Sequence, residues 1–576
     1  MENLRIVLWA GFAMLLYATY AQWSYEPANQ QATNQEQQAN KNNAFTTTQA
    51  TQQTNNNAIP PNTGGVLGLS DAIPTINKNN PVEDTVSPAL RTDVIRNNVL
   101  ELYINPNKGA DIVGAKLLTY HPTKKETDTP IELLSLNKES YHYFQTGLIS
   151  VFGGDEANHT KPYRKLSSSG PRETTTNIKY VYEFGGGMSV IKSYTLEKDS
   201  FNIRLKYEII NNSGAPYDFV QYVQLVKRNA EVERSMFDVE TYSFDGGIVY
   251  NGESYEKLDA DDLSDSPYNQ THNSGWAANI KHHFLVALIP PANEAFRFEA
   301  THKKDSRLSK ISAISLETQS LLPGLRTTVE TQLFIGPKLQ GELKKTREGL
   351  ELSVDYGMLA FLAAPLFWLL DNIHKYVGNW GLSIILVTLL IKIVFFRLTE
   401  NSGKSMAKMK ELAPRIKAIQ DRYKDDKQAQ SKATMELYQR EKVNPLAGCL
   451  PMLIQIPFFI AFYWVLLESV EIRQAPFFLW IDDLSSRDPY FILPIMMGLG
   501  MWFQQKLNPA PPDPTQAKVM AILPFMFTGM FAWFPAGLVL YWLSNSLLSI
   551  AQQWRINKKL GTKAPASMGG GDGGGE

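Results

Sequence analysis

Five apolar runs crowd the last third of the 576-residue chain, at about 380–398, 449–469, 490–507, 518–534 and 537–553. Runs near 20 residues match the hydrocarbon core that a helix crosses at ~1.5 Å per residue, so they predict membrane spans. A sixth run, residues 6–23 (IVLWAGFAMLLYATYAQW), lies at the N-terminus. Arg5 precedes it, no small-x-small cleavage site closes it, and Tyr20, Trp23 and Tyr25 sit where an interfacial belt would be. It predicts a retained anchor over 1–25 rather than a cleaved signal peptide. The mean hydropathy of -0.23 hides this pattern because the middle of the chain is polar.

Residues 26–84 are rich in Asn, Gln, Thr and Ala, cannot bury a core, and predict a disordered tether. Over 85–345, β-branched and aromatic residues alternate with polar ones, as in KYVYEF (179–184), NIRLKYEII (202–210) and TVETQLFIG (328–336). Period-two runs separated by Gly, Asn, Asp or Pro predict a large antiparallel β-sandwich. Cys449 is the single cysteine of the chain, so no intrachain disulfide is possible and core burial alone must hold this domain. Within 346–379, MLAFLAAPLFWLL (358–370) is apolar but too short to span, and predicts an amphipathic helix in the membrane interface.

Charge sets the expected orientation. The stretch 401–448 is rich in Lys and Arg, whereas 471–489 carries Glu471, Asp482, Asp483 and Asp488 against Arg473 and Arg487. The basic loop and the tail 556–576 are expected in the cytoplasm, and the β domain outside. The overall formal charge of -1 argues against a general nucleic-acid binder. In the basic loop, Met406, Met409, Leu412, Ile416, Ile419 and Tyr423 recur at spacings of three and four, and Ala433, Leu437 and Tyr438 follow a polar break. This predicts a helical hairpin over 401–445, kinked at Pro414, that either packs on itself or docks a partner through adaptable methionines.

The chemistry concentrates on Lys392, inside SIILVTLLIKIVFFRLTE (383–400). A lysine in hydrocarbon is costly, so it either snorkels to the headgroups or faces a wet cavity between helices. Thr388 lies one turn earlier on the same face; Gln455, Gln504, Gln505, Ser544, Asn545 and Ser546 lie in the other runs. Together they suit a hydrophilic pocket; singly, each suits an interhelical hydrogen bond. No Asp or Glu lies at mid-depth in any run, and no Walker A loop, HExxH or carboxylate pair appears in the membrane part. The last two runs, at 519–534 and 538–551, are short, about 14–16 residues, which would thin the bilayer. His282 and His283 are expected to alternate across a strand, a poor metal pair.

The stretches LSVDYGMLAFLAAPLFWLLDNIHKYVGNWGLSIILVTLLIK, EKVNPLAGCLPMLIQIPFFIAFYWVLLESVEIRQAPFFLWIDD and WFPAGLVLYWLSNSLLSIAQQW closely resemble the YidC family of membrane protein insertases over about 350–555. The resemblance implies a multi-domain membrane protein: about six transmembrane helices, with a five-helix core over 380–555, and a periplasmic antiparallel β-sandwich. It implies an inner-membrane insertase and chaperone that takes hydrophobic segments of nascent membrane proteins into a hydrophilic groove and releases them laterally. It would act alone or with the Sec translocon, without enzymatic chemistry, nucleotide or metal. Lys392 matches a groove position usually held by arginine, and keeps the charge without the planar fork. Thr388 and Trp542 match positions that the family uses for substrate contact, Tyr541 is adjacent, and Gln455 and Gln504 join them as candidate groove residues. Met406, Met409 and Lys410 are the candidate docking residues for a cytoplasmic partner; ribosome and signal-recognition machinery are expected at the cytoplasmic loops, with lipid around the helices and no direct nucleic-acid recognition. A transporter or channel with Lys392 on a solute path, or a tethered carbohydrate-acting β domain, are the competing readings.

Overall fold

The structure is a computed structural model that describes residues 92–560, apart from 138–139, 152–155, 170–174, 230–242, 425, 442, 444–449 and 508–513. The expected anchor, the tether and the end of the tail lie outside the described residues.

Two antiparallel sheets of ten and nine strands form the β-sandwich. In the larger, Tyr217–Arg228 pairs with Tyr141–Ser150 on one side and Leu308–Ser315 on the other. In the smaller, Arg326–Pro337 pairs with Asn202–Asn211 and with Phe284–Ile289. The period-two pattern is carried out literally. Ile203, Leu205, Tyr207 and Ile209 of one strand point inward, beside Val190, Tyr194 and Leu196 of its neighbour Met188–Glu197. The same alternation turns Lys192 inward, where it is fully buried. Its ammonium donates to the Gly109 carbonyl (2.7 Å) and to Asp111 (3.0 Å), within 5.4–5.8 Å of the Tyr163, Tyr194 and Tyr207 rings. A buried ion takes such partners because it cannot be left unpaired.

After short helices at Gln340–Thr346 and two 3₁₀ turns, the chain becomes helical. The helices are α1 Ala360–Val377, α2 Trp380–Val394, α3 Phe396–Arg422, α4 Lys427–Arg440, α5 Leu450–Glu468, α6 Ile492–Leu507, α7 Pro514–Phe531 and α8 Ala536–Leu560. Gly378, at φ 69°, ends α1 with its N–H on the His374 carbonyl (2.7 Å), and Asn379 begins α2 by accepting from the Leu382 N–H (3.0 Å). A left-handed glycine followed by an Asn cap reverses the chain in two residues. α8 packs on α2, α3, α5 and α6, so it is the hub of the bundle. Gly498 of α6 faces Thr528 of α7 so closely that a methyl group there would overlap the Thr528 hydroxyl. Gly498→Val is expected to force α6 and α7 apart and lower the thermal midpoint of the purified protein, whereas Gly529→Ala, in open space, is expected to leave it unchanged.

Two expectations about the helices change. The helix over 358–370 is longer than expected: with its 3₁₀ turn it runs Gly357–Val377, 21 residues, long and apolar enough to cross a membrane. DNIHKYV continues it because nothing in that stretch breaks a helix before Gly378. The run 380–398 is not one straight helix; α2 and the start of α3 meet at a 63° bend at Phe395. α8 has 25 residues and carries its polar end to Leu560, beyond its short apolar run. α3 continues through Pro414 without interruption.

The β domain grips the bundle at one end. Lys338, just after Arg326–Pro337, pairs with Glu468 at the end of α5 (3.0 Å), both side chains almost wholly buried. His282 and His283 both donate Nε2–H to the Leu467 carbonyl, at 3.0 and 2.9 Å. They do not alternate across a strand as expected: His282 has φ 45° in the turn before Phe284–Ile289, and the two rings stack at 3.7 Å. The guanidinium of Arg473 donates to the His121 and Pro122 carbonyls (2.8 and 2.9 Å), and Lys124 donates to the Asp482 carbonyl (2.9 Å).

Glu471 in this junction accepts from the Gln340 N–H (3.1 Å) through one oxygen, while its other oxygen is buried without a partner. Burial pushes the Glu471 carboxyl up to about 7, from 4.5, and nearby Lys338 only partly offsets it. A raised folded-state value means that the folded junction holds the proton more tightly than the unfolded chain. Its contribution is full below about pH 4.5 and is lost as pH rises through about 7. Glu471→Gln is therefore expected to flatten the stability loss between pH 5 and 8, gaining up to roughly 3 kcal/mol at pH 8. Thermal midpoints at the two pH values check it.

Candidate groove in the helical core

The helices leave a belt of large apolar side chains exposed: Phe361 and Trp368 of α1, Ile393 and Val394 of α2, Leu499 and Phe503 of α6, and Ile522 and Phe525 of α7. A water-soluble surface rarely carries so much contiguous apolar area, and lipid is the medium that favours it. Inside this belt the polar side chains collect on α8 and on the faces turned to it. Ser544, Asn545 and Ser546 are buried on α8.

Lys392 lies half-buried in the last turn of α2, and its ammonium donates to Ser549 Oγ of α8 at 2.8 Å. Ser549 in turn donates to the Asn545 carbonyl at 2.7 Å. The lysine thus turns inward to a polar partner on the hub helix. Ser549 was not anticipated from the sequence; its spacing of four from Asn545 and three from Gln552 is the trace it leaves there. Thr388 is buried one turn before Lys392, its hydroxyl donating to the Ile384 carbonyl (2.7 Å).

Gln455 of α5 meets the hydroxyl of Tyr541 on α8. Tyr541 is buried and stacks on Phe462 at 4.5 Å. Trp542, half-buried, meets the Phe459 ring at a right angle with centroids 4.9 Å apart, and its ring lies 5.5 Å from that of Phe531 of α7. The structure therefore joins Gln455, Tyr541 and Trp542 in one α5–α8 contact, and Lys392 to the same helix two turns on. Gln504 is half-buried on α6. Gln552, the next polar position on α8 after Ser549, is buried with both amide atoms unpaired.

The basic hairpin forms as α3 and α4. Leu412, Ile416, Leu437, Tyr438 and Val443 make its small core, and Met409 and Ile419 pack against it. Met406 and Lys410 lie on α3, with their side chains outside the described residues.

The helical bundle with its exposed apolar side chains, its inward lysine and its appended β-sandwich defines a membrane protein with one large β domain. Residues 93–369 match the family model described as YidC periplasmic domain, and residues 372–563 the one described as 60Kd inner membrane protein. The membrane protein insertase YidC of Thioalkalivibrio sulfidiphilus (strain HL-EbGR7) is 41% identical over 574 residues, 97% of this chain and 99% of that protein. That of Alkalilimnicola ehrlichii is 44% identical over 473 residues, 80% and 82% of the two chains. A crystal structure of an active YidC insertase with its first transmembrane domain resolved aligns at a TM-score of 0.37 and 18% identity, covering 81% of this chain and 92% of that one. The chain belongs to the YidC family of membrane protein insertases. It is an inner-membrane protein with a periplasmic β-sandwich domain.

Proposed function

We propose that this protein is a membrane protein insertase and chaperone. Its helical core takes hydrophobic segments of nascent membrane proteins against the polar face of α2 and α8 and releases them laterally into lipid. The observation that carries this reading is the Lys392–Ser549 contact, a cation held among helices and turned to a polar partner rather than out to headgroups. Lys392 would attract the acidic or polar tail of a substrate, while Trp542 and its aromatic neighbours line the route by which the apolar segment leaves. The reaction makes and breaks no covalent bond, and it uses the hydrophobic effect as its driving force.

The family relation supports nascent membrane proteins as the substrates. On this reading, the Sec translocon works beside the bundle, and ribosome and signal-recognition machinery dock on α3 and α4. The positive loop charge supports cytoplasmic N- and C-termini.

The test is insertion of a small single-span substrate with an acidic external tail by the purified full chain in liposomes, read by protease protection. Insertion without nucleotide is the expected result. Failure to insert, with solute flux through the same liposomes, would favour a transporter instead.

A further inference from the structure

The loop between α5 and α6 ends in an apolar tip that the groove does not use. Its backbone closes on itself: the Phe477 N–H donates to the Ile481 carbonyl (2.9 Å) and the Ile481 N–H to the Phe478 carbonyl (3.2 Å). Leu479, at the tip, has φ 59°. Left-handed backbone costs a side-chain-bearing residue on the order of 1 kcal/mol, and a glycine or asparagine would relieve it. Instead the position carries a leucine that is 87% exposed, next to Phe478 at 51%. Water would favour the opposite choice on both counts.

The tip is fixed in place. Phe477 covers Gly381 so closely that a methyl group on that glycine would overlap the ring. The Asn379 side-chain amide donates to the Phe477 carbonyl (3.4 Å), and the Trp480 indole N–H donates to buried Asp488 (3.0 Å). Asp488 also accepts from the Leu493 N–H (2.7 Å) at the start of α6. The loop is thus tied to the first turns of both α2 and α6. Both helices carry the exposed apolar belt onward from that end.

The same end carries exposed aromatics. Tyr376, in the last turn of α1, is 92% exposed; Tyr490 precedes α6, and Trp533 follows α7. Arg473 and Gln474, four to six residues before the tip, bind the β domain through the His121 and Pro122 carbonyls, which fixes the side. Aromatic residues at such a level mark the headgroup boundary of a bilayer.

We propose that Phe478 and Leu479 form a fixed wedge seated at the headgroup–acyl boundary of the leaflet on the β-domain side. Lipid is the occupant because the tip continues the lipid-facing belt where the belt meets water. This inference rests on the membrane placement of the helices and is independent of the groove.

The test uses the full chain with Cys449→Ser and a single Leu479→Cys labelled with an environment-sensitive NBD fluorophore. The labelled protein is placed in phosphatidylethanolamine–phosphatidylglycerol liposomes, with shallow doxyl lipids or aqueous iodide as quencher. Asp261→Cys, on an exposed helix of the β domain, is the aqueous reference. The expected result is blue-shifted emission at 479, quenched at least about twofold by doxyl lipid and little by iodide, with the reverse at 261. Iodide quenching at 479 equal to that at 261 would overturn the wedge. So would resistance to both quenchers, which would mean that protein covers the tip, either residues 6–23 or a second copy. Phe478→Cys repeats the measurement should Leu479→Cys not yield folded protein.

Discussion

Lys392→Arg is expected to insert an acidic-tailed single-span substrate at near the wild-type rate, while Lys392→Ala and Lys392→Glu lose most of it. The reason is that the attraction depends on charge. Two unit charges about 4 Å apart interact by on the order of 4 kcal/mol at the effective dielectric of a protein site, and less where water enters. Removing the ammonium forfeits that attraction; a glutamate turns it into repulsion. The expected losses are therefore about tenfold or more for Ala and larger for Glu. A substrate whose tail has been neutralised should lose far less, and that comparison separates charge reception from a packing defect. The companion variant Ser549→Ala removes the hydrogen-bond partner of Lys392 and keeps the charge. It should cost less than Lys392→Ala. If all Lys392 variants insert alike, the lysine is no receptor.

The junction between β domain and bundle should show the largest stability effect. Lys338→Met leaves Glu468 buried beside no cation, and one-sided removal of a buried pair costs about 3–5 kcal/mol. Glu468→Leu alone strands the ammonium and should cost a similar amount. The double variant Lys338→Met/Glu468→Leu removes both charges and should recover most of the loss, because a buried pair and an apolar pair of like volume are often near equal. Thermal unfolding of the purified chain measures this, with the single variants lowered by about 5–10 °C. Equal midpoints for all four proteins would show that the pair is loose and hydrated. Insertion should change less than stability, since Lys338 lies at the far end of α5 from Gln455.

Local pattern was legible in the sequence, and tertiary pairing was not. Alternation in NIRLKYEII marked a strand with one buried face, and the structure buries Ile203, Leu205, Tyr207 and Ile209. Lys192 lies on the inward phase of its own strand, yet nothing local shows that Asp111, 81 residues earlier, meets it. Spacing of three and four in the basic loop marked the α3–α4 core around Leu412, Ile416 and Leu437. Lys392 stood out because its type conflicts with its surroundings, and conflict is visible in one dimension. Its partner Ser549 did not, because serine is ordinary in a membrane helix and the pair spans 157 residues. The bend at Phe395 left no glycine or proline at the break. His282 and His283 misled because a turn with positive φ puts adjacent side chains on one side, which strand alternation forbids.

The hub position of α8 has a consequence for how the protein is made. α8 is the last of the described helices, and α2, α3, α5 and α6 all pack on it. A ribosome delivers those four before α8 exists. Until then Lys392 is without Ser549 and the inward faces of the earlier helices have no common axis to close on. The protein's own biogenesis thus passes through an unfinished bundle with an unpaired cation in the membrane, the kind of intermediate that an already assembled copy would be suited to shelter.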